Sequence, residues 1–392
     1  MLQKNILIIN SGSSSIKFAI YSNELNPICK LSGKVDKIGL QDPILSYAEN
    51  TDEKKTISVK ASNIPESISS LIEWLLKRNY LDNLIAVGHR IVHGMEISAT
   101  QMITPELIER LKNISSYDPD HLPGEIELIN AFQQKLPKLI QVACFDTLFH
   151  TSMPSLATML PIPRKYFEQG IRKYGFHGLS YSFIIEKLKN LGEPAVIKGR
   201  IIIMHLGNGA SLAAVKDGKS VDTSMGFTPA GGLIMGTRTG DMDPGITSVI
   251  MKKESMNPIQ FNDFVNHDCG LLGISQTTSD MQQLLKNQST DNRAVEAVSL
   301  FCYQVKKWIG SFTAVLDGVD VLVFTGGIGE NAPVIRQRIC RELSFLGLQL
   351  DEKKNQYFKG IISSKDSRII VYVIPTNEEL MIAKLVNHIL AN

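Results

Sequence analysis

The feature that most constrains this fold is an order of strand, small-residue turn and strand that occurs twice, about 200 residues apart. The apolar run 5–9 leads through Asn10–Ser15 into an alternating segment, and the run 200–206 leads through Gly207–Gly209 into a second one. Apolar and alternating runs on both sides of a glycine-containing turn predict a β-hairpin. Two copies of the pattern predict two domains that descend from one duplicated design.

Helical patterns follow each predicted hairpin and indicate an α/β fold class. Helical periodicity is present at 179–191 and 292–316, and the chain ends in a predicted helix at 378–390. Strands and helices mixed in this order predict mixed sheets flanked by helices. We place the two domains at 1–150 and 151–392, with the C-terminal helix able to pack back on the first domain.

Composition and charge exclude several classes of partner. The chain has 392 residues, of which 43% are hydrophobic and 20% charged, and its formal net charge is +2. Such a chain is typical of a globular protein that binds neither nucleic acid nor an anionic membrane. The apolar run 6–9 is too short for a signal peptide, and the five widely spaced cysteines lack zinc-site spacing and suit a reducing compartment. We therefore expect a cytoplasmic protein.

The segment 23–63 has no strong period, and we assign it no function.

Glycine-rich turns form a candidate phosphate site. The turns Asn10–Ser15 and Gly207–Ser211 can direct several backbone N–H groups and hydroxyls at one anion. Either turn alone could equally be an ordinary hairpin loop, but two matching turns favour nucleotide binding. Neither has the spacing of a Walker A loop or of a dinucleotide motif. A third glycine element, Gly326–Asn331, follows the predicted strand 319–325 and could lie against a base or a ribose.

Four polar residues are candidates for chemistry, and each also has a purely structural interpretation. Arg90 lies in an apolar strand and needs an acid or an anion, so a structural salt bridge would satisfy it as well. Arg238, in a loop of small residues, could bind carboxylate or phosphate oxygens or be a surface arginine. His177 lies between glycines before a helix, and Asp146 ends a predicted strand at 139–145, where it could be a cap.

Nine ordered motifs together resemble the acetate kinase family, within the larger group of acetate and sugar kinases, Hsp70 chaperones and actin. The motifs are NSGSSSIKF, GHRIVHG, FDTLFH, RKYGFHGLSY, HLGNGASLAAV, MGFTP, GTRTGDMDPG, TGGIGEN and TNEEL. The resemblance covers nearly the whole chain. It implies two actin-like domains of the ribonuclease H-like type, related by duplication, and a homodimer.

The same resemblance implies ATP as co-substrate and Mg²⁺ as the metal, with Mn²⁺ as the alternative. Asn10 and Glu378 would position the metal through its water shell. The residues that would contact ATP are Ser13, Ser15, Lys17, His205, Leu206, Gly207, Asn208, Gly209, Asp280, Met281, Gln282, Gly327, Ile328, Gly329, Glu330 and Asn331.

The resemblance also implies a catalytic set and an acyl pocket. The catalytic residues would be Arg90, Asp146, His177 and Arg238, and the substrate-binding residues would be Arg90, Val92, Phe176 and Pro229. Phosphoryl transfer depends mainly on positioning and on charge neutralisation, which two arginines, a histidine and a metal supply. A carboxylate is already ionised at neutral pH and needs no general base, so we expect Asp146 to orient other groups.

Four positions depart from the family pattern: Asp120, Leu122, Gln282 and Met95. Asp120 stands where the family has a pocket leucine, and a carboxylate there would repel a bound carboxylate unless it turns away and Leu122 fills the wall. Gln282 replaces an arginine near the adenine, and Met95 replaces a glycine. These changes bear on acyl and nucleotide preference.

We therefore predict an acetate kinase that converts ATP and acetate reversibly to ADP and acetyl phosphate, a precursor in acetyl-CoA biosynthesis, in a cleft between two domains. The nearest alternative is a kinase for propionate, butyrate or another short carboxylate, because one methylene changes binding by only about 1–3 kcal/mol. An ATP-binding scaffold of the Hsp70 and actin kind is an alternative of another class, and the pair Arg90 and Arg238 argues against it.

Overall fold

The computed structural model describes residues 4–12, 15–38, 42–50, 53–59, 62–357 and 360–391. The chain divides into two compact units. Unit 1 comprises Met1–Leu148 and Asn377–Asn392, and unit 2 comprises Phe149–Thr376. The chain therefore leaves unit 1 two residues before the predicted boundary and returns to it for the last helix. Among the described residues, no helix is long and apolar enough to span a bilayer.

A mixed sheet forms the centre of unit 1. Its strands are β1 (Asn5–Ser11), β2 (Ile16–Ser22), β3 (Cys29–Asp36), β4 (Ile44–Glu49), β5 (Lys55–Ser58), β6 (Leu84–Ile91), β7 (Gln101–Met102) and β8 (Ile140–Phe145). The order of these described strands is β5-β4-β3-β2-β1-β6-β8-β7. The first predicted hairpin is present, with β1 antiparallel to β2, and β6 pairs in parallel with β1 on one side and with β8 on the other. The segment 23–63, which showed no strong period, supplies three strands of this sheet.

Two apolar clusters hold helices against this sheet. The helices are α1 (Ile64–Lys77), α2 (Pro105–Ile114) and α3 (Leu122–Lys135). In one cluster the ring of Trp74 on α1 contacts those of Phe18 and Tyr47 from the sheet. The other cluster joins α2 and α3 to β6 and β8 and contains Leu122 and Phe145, neither of which has any exposed surface. The strand that carries Arg90 is therefore fixed from one side by a packed core.

The sheet of unit 2 repeats the central topology of unit 1. Its strands are β9 (Arg200–Leu206), β10 (Ala210–Lys216), β11 (Lys219–Thr223), β12 (Val321–Thr325), β13 (Gly360–Ile361) and β14 (Ile370–Val373). Their order among the described residues is β11-β10-β9-β12-β14-β13. The segment β11-β10-β9-β12-β14 matches β3-β2-β1-β6-β8, with antiparallel pairing followed by parallel pairing in both. This agreement of order and direction is what a duplication produces.

Helices of unit 2 pack around its sheet. They are α4 (Ser155–Thr158), α5 (Arg164–Glu168), α6 (Gly178–Asn190), α7 (Pro244–Lys253), α8 (Pro258–His267), α9 (Gly270–Ser275), α10 (Met281–Asn287), α11 (Asn292–Val315), α12 (Gly326–Asn331), α13 (Pro333–Cys340) and α14 (Glu352–Tyr357). The predicted helices 179–191 and 292–316 are α6 and α11. The third glycine element, Gly326–Asn331, is itself a short helix.

The last helix, α15 (Glu378–Ala391), packs on the sheet of unit 1. A Cβ atom at Gly88 of β6 would lie 2.6 Å from Val386 and 2.8 Å from Ile382 on this helix. Glycine is therefore needed at position 88 for the helix to approach the strand. The side-chain oxygen of Asn377 accepts the N–H of Leu380 and caps the helix N-terminus.

Candidate active site

Arg90 is fixed by an ion pair with Asp146. Its Nη2 lies 2.8 Å from Asp146 Oδ2, and its Nη1 donates to the carbonyl of Ser11 at 3.3 Å. The parallel pairing of β6 with β8 brings the two together, because Asp146 follows β8 and its N–H donates to the Ile91 carbonyl. Burial alone would lower the pKa of Arg90, but the carboxylates of Asp146 and Glu378 outweigh it, so the pKa is raised.

The side chain of Arg90 is 14% exposed, whereas that of Asp146 is fully buried. Nε of Arg90 is a buried donor without a hydrogen-bond partner in the described part of the chain. Breaking a buried pair of this kind is strongly unfavourable, so the guanidinium keeps one orientation. Asp146 is in the position to orient an anion-binding arginine and has no exposed surface through which it could take a proton from a substrate.

Three oxygen-bearing side chains converge near the start of α15. The amide nitrogen of Asn10 lies 3.0 Å from a carboxylate oxygen of Glu378 and 3.0 Å from one of Glu379. Two carboxylates and an amide are hard oxygen ligands that suit Mg²⁺ or Mn²⁺. No group of three or more His, Cys, Asp or Glu side chains with metal-site geometry occurs among the residues described, so a metal here would need further ligands from phosphate and water.

His177 has an unusual backbone conformation and a fixed ring. It precedes α6 with φ 59° and ψ 24°, the left-handed region that few residues other than glycine adopt. Its Nδ1 lies 2.8 Å from Ser211 Oγ, and the same oxygen is bonded to the Tyr181 hydroxyl. Strained backbone at a residue held by such a network is typical of functional sites.

A second histidine repeats this arrangement beside the first. The rings of His177 and His205 are stacked, with centroids 4.2 Å apart and planes 20° apart. Nδ1 of His205 lies 2.9 Å from Ser180 Oγ, which also receives a hydrogen bond from the Thr376 hydroxyl. Each ring is thus oriented through its Nδ1 by a serine that is itself bonded to another hydroxyl.

Arg238 and His177 both approach the glycine turn after β9. A Cβ atom at Gly209 would lie 3.3 Å from His177 Nε2 and 3.8 Å from Arg238 Nη1. The guanidinium also donates to the Pro229 carbonyl at 3.4 Å. Unit 2 therefore brings a cation, an imidazole and exposed backbone together at one turn, which is an arrangement suited to an anionic group.

A pocket of about 630 Å³ lies in the same unit. It is lined by Gly207, Asn208, Ser279, Asp280, Met281, Gln282, Leu285, Gly327, Ile328, Asn331, Ala332, Pro333 and Val334. Eight of these residues belong to the predicted ATP set. Ser279, Leu285 and the segment 332–334 were not predicted, because they lack the glycine and polar pattern that marked the others.

Several predicted ATP residues lie outside this pocket lining. Leu206 and Gly329 are buried, and the Glu330 carboxylate accepts the N–H groups of Gly326 and Thr376. Of the other predicted residues, His205 stacks on the ring of His177, and Gly209 lies in the turn that Arg238 and His177 approach. Ser15 and Lys17 lie in unit 1, where Lys17 pairs across the hairpin with Asn10 and is exposed. Ser13 lies outside the described residues.

The predicted acyl-pocket residues are distributed over both units. Val92 follows β6 and is buried, and its N–H donates to Glu125. Phe176 is buried in unit 2, and Pro229 is half-buried beside Arg238. Leu122 is a fully buried member of the core between α3 and the sheet.

Two of the departures noted in the sequence have structural consequences. Asp120 is half-buried in the segment between α2 and α3. Met95, which replaces a glycine, adopts φ 51° in the left-handed region, and its N–H donates to His93 Nδ1. Glycine would adopt this conformation without steric cost.

Sequence reasoning missed the residues that support the predicted ones. Glu379 is adjacent to Glu378 in the TNEEL motif and could have been included on that ground. Ser211 and Tyr181 also stand within recognised motifs, but the bonds of Ser211 to His177 and to Tyr181 join segments that are 34 and 30 positions apart in the sequence. Glu125 lies in none of the nine motifs, so no sequence pattern provided a reason to select it.

Comparisons with known proteins agree with this geometry. The family model described as the acetokinase family matches residues 5–384. A curated acetate kinase of Carboxydothermus hydrogenoformans is 43% identical over 390 residues, which are 97% of each chain. A crystal structure of Porphyromonas gingivalis acetate kinase has a TM-score of 0.87 at 34% identity, covering 99% of this chain and 100% of that one. A crystal structure of a propionate kinase from Francisella tularensis has a TM-score of 0.90 at 37% identity, covering 97% and 98%.

These matches confirm the resemblance to the acetate kinase family and the predicted α/β fold class. The two solved structures are carboxylate kinases of the actin-like fold and align over almost the whole chain. The alternative of a non-enzymatic scaffold is therefore not supported. The chain belongs to the acetokinase family, and it is a phosphotransferase that uses ATP as co-substrate and a carboxyl group as acceptor.

Proposed function

We propose that this protein transfers the γ-phosphoryl group of Mg·ATP reversibly to acetate, giving acetyl phosphate and ADP. The observation that carries the proposal is the Arg90–Asp146 pair, a fixed guanidinium in an apolar strand with a buried N–H left unpaired among the described residues. Such a group binds a small carboxylate with little loss of side-chain entropy. The names of the relatives support acetate as that carboxylate.

In this proposal Arg90 binds the acceptor, and Val92, Phe176 and Pro229 contact its methyl group. Asp146 orients Arg90 and does not act as a general base, because the acceptor carboxylate is already ionised at neutral pH. The attacking group is thus a carboxylate oxygen whose pair of electrons forms the new bond to phosphorus as the bond to the ADP oxygen breaks. The catalytic need is for positioning and for charge neutralisation.

Arg238 and His177 supply that neutralisation on the nucleotide side. We infer that Tyr181 donates to Ser211 and that Ser211 donates to His177 Nδ1, which leaves the proton of a neutral imidazole on Nε2. An Nε2–H directed toward the Gly209 turn can donate to an equatorial oxygen of the migrating group, beside the guanidinium of Arg238. The 630 Å³ pocket that Asp280 and Gln282 help to line would hold the rest of the nucleotide.

Asn10, Glu378 and Glu379 would hold Mg²⁺, directly or through its water shell. The fit is supported by two carboxylates within 3.0 Å of one amide, a juxtaposition of like charges that a divalent cation would relieve. When bound, the ion would offset the negative charge of the nucleotide phosphates. Mn²⁺ accepts the same ligands and is the alternative.

The direct test is the initial rate of ADP formation with Mg·ATP and acetate, propionate or butyrate, compared as kcat/KM. We expect the highest value for acetate. Trapping of acyl phosphate by hydroxylamine should give the hydroxamate, and Arg238→Ala should lower its formation by about 100-fold or more. Arg293→Ala, which removes an exposed arginine of the same unit, is the matched control and should retain activity. Equal rates in Arg238→Ala and the wild type would contradict the assignment.

Propionate is the second candidate acceptor. The resemblance to a solved propionate kinase supports it, and so does Asp120 at the position of a pocket leucine. A longer acyl chain gains only about 0.8 kcal/mol per buried methylene, so the preference can reverse with a small change in the pocket. A higher kcat/KM for propionate than for acetate would establish this alternative.

We also propose that the protein is a cytoplasmic homodimer. Exposed apolar side chains of unit 2, among them Ile246, Val249 and Ile259 on α7 and α8, support an interface between copies. Light scattering coupled to size exclusion should give twice the chain mass of 43.4 kDa. A single-chain mass at micromolar concentration would contradict the dimer.

A further inference from the structure

Glu125 is a buried acid to which the reaction described above gives no task. It lies on α3, is 3% exposed, and forms no ion pair with any described residue. Both of its carboxyl oxygens accept the N–H of Val92, at 3.1 and 3.2 Å. A buried carboxyl group that accepts a single backbone N–H from the described part of the chain is costly, and stability alone does not explain its presence.

The bond to Val92 controls the chain segment that follows Arg90. β6 ends at Ile91, so Val92 is the first residue that the parallel ladder no longer holds. Val92 is buried, and among the described residues its N–H donates to Glu125 and to no backbone carbonyl, so it would be a buried donor without a partner there if Glu125 were absent. Glu125 therefore takes the place of the missing strand partner at Val92. This residue follows β6 and is one of those that we propose contact the methyl group of the acceptor.

Charged groups from several segments face Glu125. Burial is the largest influence and raises the pKa of Glu125, and Asp118 raises it further. Arg90 and the hydrogen bond from the Val92 N–H lower the pKa and Asp146 raises it, so the pKa lies well above its ordinary value. Asp118 also pairs with His121 Nδ1 at 2.8 Å, and its other oxygen is buried without a partner among the described residues. Glu125 is thus a buried carboxyl group beside other acids, and this environment favours its protonated form.

We propose that Glu125 is a positioning residue of the acceptor site, which holds the main chain at Val92 and serves in its neutral form while an anionic acceptor binds to Arg90. The inference rests on the proposed function for the identity of the acceptor. Ionised Glu125 would add a negative charge close to the cation that binds the carboxylate, and acceptor affinity would fall. When Glu125 is neutral, the positive charge of Arg90 interacts with the carboxylates of Asp146 and of the bound acceptor.

The test compares Glu125→Gln, Glu125→Ala and the matched control Glu127→Gln, an exposed position of the same helix. Glutamine accepts the Val92 N–H and cannot ionise, so its KM for acetate should be close to the wild-type value near neutral pH. In the wild type and in Glu127→Gln, KM for acetate should rise as the pH passes through the pKa of Glu125, and in Glu125→Gln this rise should be absent. Glu125→Ala should raise KM for acetate by about tenfold, with KM for ATP unchanged.

A stability measurement tests the proton without relying on activity. Because the folded-state pKa of Glu125 is raised, its stabilising proton is present at low pH and is lost as the pH rises toward that value. Glu125→Gln should therefore gain stability relative to the wild type as the pH increases, and Glu127→Gln should not. An unchanged difference across pH, or an acetate KM in Glu125→Ala within twofold of wild type, would overturn the proposal. Wild-type protein inactive on every short carboxylate would instead refute the proposed function, and the stability series would still test Glu125.

Discussion

At the scale of single residues, two serine–histidine pairs of unit 2 have the same local geometry but different surroundings. Ser211 lies 2.8 Å from Nδ1 of His177, beside Arg238 and the glycine turn. Ser220 lies 2.8 Å from Nδ1 of His150, whose Nε2 is bonded to the Phe176 carbonyl. The ring of His150 therefore has protein partners on both nitrogens and a structural role. In contrast, we propose that Ser211 orients His177 for its contact with the migrating phosphoryl group.

Removal of Ser211 should affect the reaction step more than binding. Ser211→Ala releases the ring and the tautomer of His177, so we expect kcat to fall by about tenfold or more with little change in KM for ATP. Ser220→Ala breaks an equivalent buried hydrogen bond and should lower stability by about 1 kcal/mol while kcat is retained. Steady-state kinetics and urea denaturation of both variants measure this contrast. If the two variants lower kcat equally, Ser211 has no special role.

At the scale of elements, the approach of α15 to β6 decides where two carboxylates of the proposed metal site lie. Val386 and Ile382 fill the space above Gly88, and Glu378 and Glu379 form the first turn of the same helix. Acidic residues are also favoured at a helix N-terminus by the helix dipole. A displacement of α15 would therefore change both core packing and the position of these carboxylates.

Gly88→Ala should test this coupling. The added methyl group has no space, so we expect a loss of about 1–3 kcal/mol in the free energy of unfolding and a higher Mg²⁺ concentration for half-maximal activity. Gly310→Ala on α11 is the control, because nothing lies within 4 Å of its Cβ position and alanine stabilises a helix interior by up to about 1 kcal/mol. A Gly88→Ala protein with normal stability and unchanged Mg²⁺ dependence would show that the helix has room to move.

The sequence was informative about elements where the signal is local. Both hairpins could be predicted from apolar runs and turns, and the helices at 179–191 and 292–316 were correct within one residue at each end. The strands between residues 23 and 63 could not be predicted, because their residues face both core and solvent without a regular alternation. The helix Gly326–Asn331 could not be predicted either, because its glycine content argues against a helix in isolation.

At the scale of the whole molecule, the sequence indicated the duplication, and the matching strand orders of the two sheets agree with it. The motifs also named most of the residues that line the pocket of unit 2. What they could not indicate is how distant segments meet, such as Asn10 with Glu378 across 368 positions. Contacts of this kind depend on the packing of complete sheets, and Glu125 was missed for the same reason.

Nucleotide binding should be visible in the stability of the full chain, because the pocket belongs to the folded form of unit 2. A ligand at about 100 times its Kd adds about 2.7 kcal/mol to the free energy of unfolding, so ADP should raise the melting temperature. A Cβ atom at Gly236 would lie 2.1 Å from Oδ1 of the pocket residue Asn208. Gly236→Ala must displace that side chain, and we expect the ADP shift to shrink markedly.

The control is again Gly310→Ala, which lies in the same unit away from the pocket lining and should show the full ADP shift. A reduced shift in Gly236→Ala, with a melting temperature without ligand near that of the wild type, would assign the loss to the pocket itself. An undiminished shift would mean that Asn208 moves aside without effect, and the nucleotide would then have to be bound by the other lining residues, among them Asp280, Gln282 and Asn331.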